Sequence, residues 1–108
     1  MNDPAPWEQQ ITRLRTLSHE ILALARAGEW EILAEREVQR RRVIEEVFAQ
    51  PVLPAAAPDL AACVHEVLSS DSTVLALAQA EQSQRAQRLR ALTRRRKACL
   101  AYAIVKEG

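Results

Sequence analysis

The chain has 108 residues, 48% of them apolar and 27% charged. That is enough apolar material for one core and too much for wholesale disorder, near the lower size limit for a single domain. A formal charge of +1 excludes a global field that would steer the chain to nucleic acid or a bilayer. Only two glycines are present, while Ala, Leu, Glu, Gln and Arg dominate. This composition suits helices rather than sheets with their many turns, and it predicts an all-α fold.

A first helix is expected over residues 4–27, with Asp3 as its cap and Pro4 at the first helical position, where the missing N–H costs nothing. At 100° per residue, Trp7, Ile11, Leu14, Ser18, Ile21, Leu22 and Ala25 share one face, which Leu17 and Leu24 widen. Gly28 should end the helix in a left-handed conformation. A second helix then follows almost at once, over 29–49, with Glu29 and Glu31 complementing its N-terminal dipole. So short a connection makes the pair an antiparallel hairpin. The face assigned to the second helix carries Trp30, Leu33, Ala34, Ile44 and Phe48. Glu37 and Arg41 interrupt it, either as a semi-buried i, i+4 ion pair or as a polar notch for a partner.

Residues 50–57 form a proline-rich linker, in which Pro51 and Pro54 prevent a helix from running through. A third helix is expected from 58 to 97 or beyond. Ser69-Ser70-Asp71-Ser72 offers a break, yet Leu60, Val64, Val67 and Leu68 before it stay in phase with Val74, Leu75 and Ala78 after it. Two separate helices would have no reason to keep that phase, so one helix roughly 60 Å long follows, projecting past the hairpin. Its stripe then thins: Gln82 and Arg85 take core-facing positions, and only Leu89 and Leu92 continue it. Arg85, Arg88, Arg90, Arg94, Arg95, Arg96 and Lys97 follow one another without an acid and point almost all round the wheel. Residues 98–108 make an apolar tail, led by Ala98 to Val105, that either folds back as a short fourth segment or waits for a partner. The expected architecture is an antiparallel bundle of three main helices, the third one long.

No catalytic constellation is visible, and the chain reads as no enzyme. His19 and His65 stand isolated, and no phosphate loop, nucleophile motif or metal spacing occurs, so no cofactor, metal or small-molecule substrate is expected. Cys63 and Cys99 make no disulfide framework; each is flanked by Ala, as small core residues would be. No apolar run approaches the roughly 18–20 residues of a membrane span, and the start lacks a signal-peptide pattern, which points to the cytoplasm. The arginine-rich stretch could lie along phosphates. It has no interleaved aromatics and no zipper beside it, because Asp71, Gln82, Arg85 and Arg96 break the heptads; a solvated helix or docking to an acidic protein is preferred over a nucleic-acid-binding module.

The stretch Ile21-Leu22-Ala23-Leu24-Ala25-Arg26-Ala27-Gly28-Glu29-Trp30-Glu31-Ile32-Leu33, followed by Glu37 and Arg40-Arg41-Arg42, resembles the FliT family of bacterial flagellar export chaperones. A proline-marked linker near position 51, Val67-Leu68-Ser69-Ser70-Asp71 leading into a long helix, and Ala101-Tyr102 extend the likeness over most of the chain. The resemblance implies a cytosolic chaperone that binds the C-terminal region of the filament-cap protein and delivers it to the export ATPase complex and the export gate. In some bacteria such proteins also restrain the master regulator of flagellar genes. Family members can carry a further C-terminal helix that masks the binding surface. On this reading Leu75, Ala78, Arg85, Leu89 and Leu92 line a partner groove, for which Leu100, Tyr102 and Ile104 compete from the same chain. The alternatives are an adaptor for the hook-filament junction proteins, a nucleic-acid-binding module, and a structural bundle that acts by pairing as a homodimer.

Overall fold

The computed structural model describes residues 5–107. Three helices follow one another, α1 (Pro6–Ala27), α2 (Trp30–Phe48) and α3 (Ala57–Glu107), with no strand among the described residues. The chain divides into two compact units, residues 1–77 and residues 78–108.

In the first unit, α1 starts at Pro6 rather than two residues earlier, and the expected cap, Asp3-Pro4, lies outside the described residues. Ala5 occupies the capping position without a side-chain acceptor, and its own N–H donates to Glu8 Oε2 at 3.3 Å. This is half of a capping box; the first amides of the helix gain nothing from the Ala5 methyl group. At the other end Gly28 adopts φ 73°, ψ 18°. Its N–H donates to the Ala25 carbonyl at 3.1 Å, and the Glu29 N–H donates to Leu24 at 2.9 Å. These two bonds complete a Schellman turn, so the residues expected to close a hairpin do close it.

Two apolar clusters fill this unit. One joins Ile11, Leu14 and Leu17 of α1 to Val43 of α2 and to Leu60 and Cys63 of α3. The other joins Ile21 and Ala25 to Leu33 and Val74. The α1 face is the predicted one, Ser18 included, which is buried. The α2 face is rotated from expectation. Leu33, Arg40 and Val43 are the buried positions, whereas Ala34 and Phe48 are exposed.

Between the clusters lies a polar layer. Arg40 makes a two-pronged contact with Asp71 of α3, Nη1 to Oδ1 at 2.9 Å and Nη2 to Oδ2 at 3.0 Å, and Nη1 also donates to Ser18 Oγ at 3.2 Å. The fork of a guanidinium fits a carboxylate in this way, and the extra bond to Ser18 ties all three helices at one level. The ion pair expected between Glu37 and Arg41 is not the structural one: Arg41 is exposed, and the neighbouring Arg40 turns inward because its acid lies 31 residues further on.

Helix α3 begins at Ala57, within a residue or two of the expected start, after a linker in which Leu53 accepts bonds from the Ala56 and Ala57 amides. It runs through Ser69–Ser72 without a break. Asp71 is therefore no turn residue but the anchor of Arg40. The stretch expected as an apolar tail or a fourth segment forms the last turns of the same helix, up to Glu107. This unbroken helix contains one window that is long and apolar enough, by length and composition, to cross a membrane. The expectation concerned uninterrupted apolar runs, which stay short in this helix; the window is an average over apolar and polar residues.

Candidate partner-binding surface

Residues 78–106 of α3 present side chains that no core absorbs. None is buried; Ala78 and Glu81 are half-buried and all the others are exposed. Helix formation here rests on local terms: strong helix formers throughout, an i, i+4 ion pair from Arg85 to Glu81 at 2.8 Å, and Thr93 Oγ1 donating to the Leu89 carbonyl at 3.0 Å.

Helix periodicity sorts these side chains. Leu89, Leu92, Leu100 and Ile104 fall within an arc of about 120°, with Arg85 and Arg96 among them. Arg88 and Arg95 flank the stripe on one side, Arg90 and Lys97 on the other, and a shallow depression lies among Arg88, Ala91, Leu92 and Arg95. Leu89, Leu92, Leu100 and Ile104 are 56–71% exposed. Tyr102 is exposed as well but points about 160° away from Leu100, towards the side of Val105. The sequence reading grouped Leu100, Tyr102 and Ile104; the helix separates Tyr102 from the other two. It also predicted a groove, whereas one helix presents a ridge. Leu75 belongs to the first unit, where it is 59% exposed.

The first unit carries two clefts that the sequence did not reveal. One, of about 450 Å³, lies where α1 begins and α2 ends, lined by Trp7, Ile11, Val47, Val52, Leu53 and Leu60 among others. Its only legible signal was the apolar pair Val52-Leu53 held between Pro51 and Pro54. The other, of about 510 Å³, brings together His19 and His65, which looked isolated, with Ser70 and with the Arg15–Glu66 ion pair at 2.8 Å. The hydrogen bond that Arg15 donates to the Glu66 carboxylate raises the affinity of Arg15 for its proton. Ser70 Oγ is buried without a hydrogen-bond partner. No group of three or more His, Cys, Asp or Glu that could hold a metal occurs among the described residues. Cys63 is buried and its thiol is pushed up by desolvation, while Cys99, expected as a core residue, is exposed.

A helical body that holds one arginine inward, followed by a bare amphipathic stretch flanked by arginines, suits a protein that holds other proteins. The family model described as Flagellar protein FliT matches residues 8–103. The chain belongs to this family, whose members are flagellar export chaperones and bind flagellar export partners. No curated protein and no solved structure matches the chain significantly.

Proposed function

We propose that this protein is a cytoplasmic chaperone that holds the C-terminal region of the filament-cap protein, keeps it from assembling early, and hands it to the export ATPase complex and export gate. The observation that carries the reading is the ridge of Leu89, Leu92, Leu100 and Ile104, exposed among arginines in a member of an export-chaperone family. A partner helix laid along this ridge would cover its leucines, while arginine stems and forks bind the partner's polar edge. Ala78 and Arg85 extend the ridge towards the start of the unit. Restraint of a flagellar gene regulator would follow from the same surface, occupied by cargo or free.

Co-expression with the cap protein of the same genome, followed by size-exclusion chromatography with light scattering, tests this. A complex that disappears when the cap protein's C-terminal segment is deleted is the expected result. Separate elution of two folded proteins would contradict it and would pass the cargo role to the hook-filament junction proteins.

A further inference from the structure

The cleft where α1 begins and α2 ends has an apolar floor and an open rim. Ile11 and Leu60 are buried in it, and Trp7 and Val47 are half-buried. On the linker side Val52 is 38% and Leu53 59% exposed. A void of about 450 Å³ lies within the range of roughly 300–1,000 Å³ that ligand sites occupy. The linker wall is also held in place. Pro51 and Pro54 restrict the backbone on either side, and the Leu53 carbonyl accepts from the Ala56 and Ala57 amides at 2.9 and 3.2 Å. A partner therefore meets a site that is already formed, and little ordering opposes its binding.

Charge decides what can enter. Residues 5–12 and 43–63 supply the whole lining. They contain four acids, Glu8, Glu45, Glu46 and Asp59, and no lysine, arginine or histidine. All four acids are exposed, and Glu46 lines the cleft itself. Arg13 and Arg42 are the first cations outside these stretches, and between Arg42 and Arg85 the chain holds no lysine or arginine at all. Neither an anionic nor a neutral group gains from such a rim. A cation gains, and gains most when an apolar group beside it fills the floor.

We propose that this cleft is a docking site for a segment of another protein in which one large apolar side chain, aromatic or leucine, stands beside lysines or arginines. The apolar side chain enters between Trp7 and Leu53, and the cations meet Glu46 and the acids around it. An aromatic side chain buried in this way removes roughly 150–250 Å² from water, and tryptophans such as Trp7 carry a large share of interface energy. The site uses none of the ridge residues between 85 and 104, whose arginines call for an acid-edged partner. It therefore does not rest on the identity of the cargo, and either surface can fail its test without the other.

Trp7 gives the test its readout. Trp30→Phe leaves it as the only tryptophan, so emission excited in the indole band reports the cleft. The probe is a short synthetic peptide with one Phe flanked on both sides by lysines. A saturable blue shift of Trp7 emission is expected. The affinity should fall at least tenfold when the peptide's Phe is replaced by Ala. It should also fall at least tenfold between roughly 0.05 M and roughly 0.5 M salt, as the rim charges are screened. Val52→Asp/Leu53→Asp should abolish the shift without changing the melting temperature. Glu45→Lys/Glu46→Lys, at two exposed positions, should weaken the lysine peptide at least tenfold and admit a glutamate-flanked one. Trp7 emission indifferent to the peptide, or equal affinity for lysine-flanked and glutamate-flanked peptides, overturns the proposal. A Trp7 spectrum that shifts with protein concentration alone gives the cleft to a second copy of the chain and overturns it as well.

Discussion

The two units of this chain handle apolar side chains in opposite ways. Among the described residues, 5–77 bury eleven apolar side chains, from Ile11 to Val74, around an arginine bound by Asp71 and Ser18. Residues 78–106 bury none, yet carry leucines at a comparable helical spacing. Spacing alone does not distinguish a core from a contact surface. The difference lies in what stands between the leucines: in the first unit Ser18 and Asp71, small or short and matched to Arg40; in the second, Arg85 and Arg96, with no acid from position 82 to position 106.

The polar layer offers the hardest way to break this contrast. Asp71→Ala leaves the Arg40 guanidinium, only 10% exposed along its side chain, without its carboxylate. Breaking such a pair from one side costs about 3–5 kcal/mol, reduced here towards the lower figure because the Asp71 side chain is 39% exposed. Urea unfolding should show that loss, and the joint change Arg40→Leu/Asp71→Leu should recover most of it.

Next in size is the contrast between leucine-like residues in the two units. Ile21, wholly buried, should lose about 2–5 kcal/mol on replacement by Ala, whereas Leu89→Ala, at 66% exposure, should change the unfolding midpoint by less than about 0.5 kcal/mol. Equal losses at the two positions would erase the distinction between core and ridge. Smaller again is the hairpin turn. Gly28 has φ 73° with open space where a Cβ would sit, so Gly28→Ala carries backbone strain alone, about 1 kcal/mol, visible as a lowered melting temperature.

How far the sequence told these units apart varies with the helix. On α1 the apolar positions recur strictly and both neighbours pack against one face, so wheel geometry found every buried residue, and Gly28 marked the turn. On α3 the persistence of phase across Ser69–Ser72 gave continuity correctly, because Asp71 there meets Arg40 instead of capping a new helix. The α2 face was misread for the same reason in reverse. Arg40 looks like surface until Asp71 is known to stand opposite, and no pattern within α2 announces a partner 31 residues away. Phe48 looked like core by type, but it sits in the last turn, where α2 gives way to the linker. The ridge residues were legible as apolar positions but not as a surface: the division of Tyr102 from Leu100 and Ile104 depends on the helix running on unbroken to Glu107.

The central claim is that residues 78–106 serve cargo binding and residues 1–77 serve stability. Leu89→Asp/Leu92→Asp tests it most directly, measured for thermal unfolding and for capture of the filament-cap protein's C-terminal segment by calorimetry. The expected result is an unchanged melting temperature with cargo affinity lowered at least tenfold, since a ridge that carries binding has central side chains worth more than about 1 kcal/mol each. A cargo affinity equal to that of the wild type, in a protein that melts where the wild type melts, would contradict the account.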